Sequence, residues 1–163
     1  MTSFPESNSR KGRFLGFIDY SKHICKRISK KNKFIMNGSY TTTKNNPNDI
    51  DFLIVFNVSR MNKDECEFVE REWEMQSELN DQRHMMIELS KKGLVDINDV
   101  YCCDWYPLYQ RDPDDKKYDD YLKDKKYWLD FWSKSRKDKN GIQNPKGLIV
   151  FELELDLLEE LYE

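Results

Sequence analysis

Residues 51–56 read DFLIVF, an apolar run without alternation, opened by an acid. A strand wetted on one face alternates polar and apolar positions, whereas an unbroken run marks a strand buried on both faces. The chain must therefore cover this segment from two sides. Asp49 stands two residues before Asp51. Side chains at i and i+2 of a strand share a face, so both carboxylates project together at the mouth of the run. Such a pair repels unless a cation lies between its members.

The surrounding pattern supplies the covering elements. Phe14, Phe17, Ile18, Ser21, Cys25 and Ile28 recur at three and four, predicting a helix over 8–31 with Lys22, Lys26 and Lys30 off its apolar stripe. A short strand, 33–37 (KFIMN), ends at Gly38, and 51–56 is the second strand. Asn62 with Glu65 three residues on reads as a capping box. The helix it starts carries Cys66, Val69 and Trp73 on one face and extends to about Lys92, with a break expected near NDQ and Gly93 as its end. A third strand is expected over 99–106 (DVYCCDWY), followed by a polar loop between Pro107 and Pro113. Pro113 in DPDD then opens a helix bearing Tyr118, Tyr121, Leu122, Trp128, Leu129 and Trp132 on one side. A fourth strand over 146–155 and a short helical tail complete the order. The expected fold is α/β (α+β), a small mixed sheet flanked by helices, formed as one domain over 1–163.

Composition agrees with a folded domain that leans on aromatic rings. Charged residues are 35% and mean hydropathy is −0.89, yet aromatics reach 13%, more than disordered chains carry. No segment is apolar over the length a membrane crossing needs, and the N-terminus MTSFPESNSRKGRF has no apolar stretch of the secretory kind. Cys25, Cys66, Cys102 and Cys103 form no C-x-x-C and read as reduced thiols in a cytoplasmic protein. Charge is uneven: residues 1–44 hold ten Lys or Arg against Glu6 and Asp19, a balance of +8, leaving −11 for the rest. Such a basic N-terminal face meets either an anion, a nucleotide or RNA among them, or the chain's own acidic part.

Hard carboxylate oxygens suit Mg²⁺ or Mn²⁺, ions that link protein acids to substrate phosphates. Gly38 permits close approach of a ligand to the backbone, and Ser39 offers a hydroxyl and an N–H to a phosphate. A phosphate-holding turn beside a metal-holding strand suits phosphoryl or nucleotidyl transfer. The stretch GSYTTTKNNPNDIDFLIVF resembles the signature of the polymerase-β-like nucleotidyltransferase superfamily: Gly-Ser, about ten residues, then Asp-x-Asp and apolar residues. GSYTT, PNDID and the late FWSKSRKDKNGIQNPKGLIV are similar to motifs of small uncharacterised prokaryotic proteins within it. The likeness covers 34–56 and 104–153.

That resemblance implies metal ligation by Asp49 and Asp51, triphosphate binding by Gly38 and Ser39, and a third carboxylate on a neighbouring strand. Asp104 is the best candidate for the third, ahead of Asp99 and Asp96, which precede the apolar run. It implies transfer of a nucleoside monophosphate from an NTP to a hydroxyl of an RNA end or a protein. The alternative is a catalytically inactive binding module of the same fold, of the antitoxin, phage or defence kind. A homo-oligomer or other protein partner, with the aromatic surface as contact, is a further expectation.

Plainer readings stand beside these. NNPNDID is also ordinary turn chemistry, with Asp49 as its cap. Lys44 touches a phosphate in one reading and is solvated in the other. Arg136 and Lys146 are equally helix-terminal cations. His23 and His84 each lack a second histidine at ligand spacing and read as structural or solvated. The rings of the last long helix are core, or stack on a base where exposed.

Overall fold

The computed structural model describes residues 8–42, 45–47, 49–94, 103–135, 137 and 139–160. Its elements follow the expected order: α1 (Asn8–Arg27), β1 (Lys31–Asn37), a 3-10 turn (Ser39–Thr41), β2 (Ile50–Asn57), α2 (Lys63–Lys91), β3 (Cys103–Gln110), α3 (Tyr118–Trp132), β4 (Ile149–Glu154) and α4 (Leu155–Glu160). The four strands form one mixed sheet in the order β3-β2-β1-β4. β1 pairs antiparallel with β2 and β4, while β2 and β3 run parallel. A parallel pair needs a long crossover, and α2 lies in it.

The unbroken run of β2 is explained by its place. Ile50, Phe52, Ile54 and Phe56 face one core with Phe17 and Ile24 of α1, Phe34 of β1, Val69 of α2, Trp105 of β3 and Leu158 of α4. Leu53 and its neighbour Val55 face the other way, against Ile35, Leu108, and Tyr121 and Trp132 of α3. Helices therefore cover both faces, and rings dominate both cores. Phe17, for example, meets Phe52 edge-on with centroids 4.9 Å apart.

Several local expectations are met and several are corrected. Asn62 N–H donates to Glu65 Oε2 at 2.8 Å and Glu65 N–H donates to Asn62 Oδ1 at 3.0 Å, a reciprocal cap that starts α2. α2 then runs unbroken through NDQ. α1 stops at Arg27, earlier than the pattern implied, and Phe14 is exposed. DPDD forms turns, not the first helical turn, and α3 begins only at Tyr118. There Asp115 accepts from Lys117 N–H and from Arg111, which closes the turn and holds its carboxyl below the usual range. Leu122 lies outside the buried stripe of α3. Of the expected third strand, 99–102 lie outside the described residues, and β3 continues beyond Tyr106 through Pro107 to Gln110. Proline lacks a donor, and β3 is an edge strand, where a missing N–H leaves no partner unpaired.

Part of the basic N-terminal segment is answered by the chain's own acids. Lys31 pairs with Glu152 at 3.0 Å and Glu154 at 2.9 Å, Lys26 approaches Glu159, and His23 meets Glu72 at 3.2 Å. Cys25 and Cys103 are buried free thiols and Cys66 is a half-buried one, while Cys102 lies outside the described residues. Burial raises the thiols of Cys25 and Cys66. No helix among the described residues is long and apolar enough to cross a membrane.

Candidate metal and phosphate site

The site is assembled by strand register. In the parallel β2/β3 pair Asp51 lies opposite Asp104, and in the antiparallel β1/β2 pair it lies opposite Asn37. Partners in register share a face, so Asn37, Asp51 and Asp104 form one row across three strands spaced about 4.8 Å apart. It is the face that Leu53 presents to α3, two residues further along β2. Asp49, just before the strand, joins the row from outside. One ligand oxygen from each of Asp49, Asp51 and Asp104 lies within 4.8 Å of the others, all three residues being half-buried. Among the described residues, no other three His, Cys, Asp or Glu side chains gather in this way.

The turn after β1 closes one side. Gly38 has φ +80°, a backbone region that only glycine enters readily. A Cβ built there would land on Asp51 Oδ2 and lie 2.9 Å from its Cγ. The carboxylate of Asp51 thus rests against bare backbone. The 3-10 turn that follows is tied internally, Thr41 Oγ1 donating to Gly38 O at 3.1 Å and Thr42 Oγ1 to Ser39 O at 2.7 Å. It is also tied to α1. Arg10 donates from Nη1 to Tyr40 O and from Nη2 to Thr42 O, both at 2.8 Å, and its guanidinium lies 5.0 Å from the Tyr40 ring centroid. Burial raises the Tyr40 phenol, with the charge of Arg10 opposing the shift. Arg10 escaped the sequence reading, which registered only a general excess of basic residues in this segment.

Two buried polar atoms at this end of β1, Asn37 Oδ1 and Ser39 Oγ, have no hydrogen-bond partner. Buried polar groups are nearly always paired, so two unpaired ones beside clustered acids are groups that a ligand could engage. The donors are hard oxygens, the Ser39 hydroxyl is unpaired, and Gly38 admits the Asp51 carboxylate against its backbone. This set fits a divalent cation with a phosphate-bearing ligand. Of the residues singled out from sequence, Gly38, Ser39, Asp49, Asp51 and Asp104 come together. Lys44, Asp96, Asp99, Arg136 and the His84 side chain lie outside the described residues. Lys146 sits beyond the end of α3, its N–H donating to Ser133 O at 2.7 Å. His23 is engaged between α1 and α2 by Glu72.

Among known protein families, one described as "Family of unknown function (DUF6932)" matches residues 1–152. No curated protein and no solved structure matches the chain.

Proposed function

The chain belongs to this DUF6932 family of unknown function, and we propose that it is a metal-dependent nucleotidyltransferase, moving a nucleoside monophosphate from an NTP to a hydroxyl acceptor on RNA or protein. The observation that carries the reading is the register that sets Asp51 between Asp104 on one side and the Gly38–Ser39 strand end on the other. Three carboxylates from two neighbouring strands and the residue leading into one of them, beside a turn, suit a two-sided phosphate reaction.

Asp49 and Asp51 would hold Mg²⁺ or Mn²⁺, with Asp104 as the third ligand. When bound, the ion supplies positive charge to the phosphate oxygens and lowers the pKa of the attacking hydroxyl. Gly38 gives the Asp51 carboxylate room against the turn, and Ser39 Oγ donates to one of the triphosphate oxygens. Asp104, across from Asp51, orients the acceptor hydroxyl and draws off its proton. The acceptor oxygen bonds to the α-phosphorus, the bond to the bridging oxygen breaks, and pyrophosphate leaves. A cytoplasmic setting, where NTP and Mg²⁺ abound, belongs to this reading.

The test is incubation with each α-labelled NTP, Mg²⁺ or Mn²⁺, and total RNA and protein. Label on a macromolecule in wild type, absent from Asp51→Asn, supports the reading. Binding of NTP without transfer to any acceptor would instead favour a nucleotidyltransferase-fold binding module. One observation favours that second reading: Tyr127 and Phe131 of α3 stack at 5.9 Å while 59% and 60% exposed, an apolar contact surface facing outward.

A further inference from the structure

We propose that Asn37 is part of the divalent-cation site, its side-chain oxygen acting as a fourth, neutral donor beside Asp49, Asp51 and Asp104. The inference rests on the metal reading of those acids and adds a residue that the Gly-Ser and Asp-x-Asp spacing does not single out.

Three observations converge on it. Asn37 is 6% exposed, yet its Oδ1 accepts no hydrogen bond. Its register partner is Asp51, so its side chain shares the face on which the acids gather. The Asp51 carboxylate leans over the adjoining Gly38 backbone, which brings it towards the β1 side of the row. A carbonyl-type oxygen beside carboxylates meets more negative charge and cannot be satisfied by them. What answers the Asn37 oxygen in such a place is a cation, or a water held in a cation's shell with its protons turned outward. Mg²⁺ keeps several such waters and accepts amide oxygens as ligands alongside carboxylates. An unpaired oxygen alone does not set Asn37 apart, since Asn57 at the end of β2 has one too; what sets it apart is its place in the row of acids.

Charge distinguishes this role from a packing role. Mn²⁺ affinity is measured without nucleotide, by electron paramagnetic resonance or calorimetry, for wild type, Asn37→Leu, Asn37→Asp and Asp51→Asn. Leu matches the shape without the oxygen, and should weaken Mn²⁺ binding about tenfold while the apo protein melts at the same or a higher temperature. Asp adds a charge at the same oxygen position. It should lower the apo melting temperature through repulsion yet tighten Mn²⁺ binding about tenfold, because affinity rises with ligand charge. A structural asparagine predicts a different result for Asn37→Asp: a less stable protein with no tighter ion. If wild type binds Mn²⁺, Asp51→Asn abolishes it, and both Asn37 variants match wild type, the role of Asn37 is overturned and the acid site stands. If wild type binds no Mn²⁺, the metal reading of the acids fails and takes this inference with it.

Discussion

The carboxylate of Asp51 fills the space that a side chain at Gly38 would need. With φ +80° and ψ −169°, Gly38 is in a region closed to other residues, and a Cβ there would collide with Asp51 Oδ2. The glycine therefore serves the acid as much as the turn. Gly38→Ala should cost about 1–3 kcal/mol in backbone strain and push Asp51 out of the row. The melting temperature should fall by roughly 2–12 °C, at about 2–4 °C per kcal/mol for a chain of this size. Mn²⁺ binding should weaken in the same protein. Unchanged ion affinity in a folded Gly38→Ala would separate the turn from the acid site.

Clustered acids without a cation repel, which gives a second expectation. In wild type, Mg²⁺ or Mn²⁺ with an NTP at about a hundred times its dissociation constant should stabilise by about 2.7 kcal/mol, or roughly 5–10 °C. Asp49→Asn with Asp51→Asn should abolish that rise and leave the apo protein as stable or slightly more so, since a like-charge pair has been neutralised. Differential scanning fluorimetry reads both effects. A ligand shift that persists in the double variant puts the ligand elsewhere on the protein.

The order of elements and the place of β2 were legible because they rest on local pattern: period-three stripes, a cap, and a run of apolar residues too continuous for a one-sided strand. The end of β3 was not. Apolar character and Pro107 suggested a strand over 99–106, but a proline is no barrier on an edge strand, and parallel pairing to β2 decides the register. Asp104 was therefore chosen as an acid following an apolar run, whereas it is the second residue of β3. It reaches the row through its pairing with Asp51, a relation between segments far apart in sequence. Asn37 and Arg10 were illegible for the same reason. Asn37 closes the expected strand 33–37 and Arg10 lies within the expected helix, and neither pattern shows what the side chain meets until the neighbouring strand or turn is in place.

Arg10 ties α1 to the turn that would receive the phosphates. Two hydrogen bonds from one guanidinium to Tyr40 O and Thr42 O fix the backbone on the far side of Ser39. Arg10→Met keeps the length and loses both. The expected cost is about 1–3 kcal/mol in stability, read by urea denaturation. NTP affinity should fall more than Mn²⁺ affinity, because the turn moves while the strand register holding the acids does not. Equal losses in the two affinities would mean that Arg10 supports the fold as a whole and not the turn.

Asp104 decides between transfer and binding alone. It lies across from Asp51 in the parallel pair, with its oxygen inside the 4.8 Å cluster. Asp49 and Asp51, together with Gly38 and Ser39, make up the side of the site that would hold the NTP. What remains for Asp104 is the acceptor side, where the attacking hydroxyl must be aligned with the α-phosphorus and lose its proton. Asp104→Ala should therefore lower the transfer rate by about a hundredfold or more, the range for loss of a positioned proton acceptor. NTP binding, measured by calorimetry at the same Mg²⁺ concentration, should drop only a few-fold. The pattern separates the two readings because a binding module has no step for Asp104 to serve. If wild type moves no label and Asp104→Ala binds NTP as wild type does, the third acid has no catalytic part and the cleft is a nucleotide receptor.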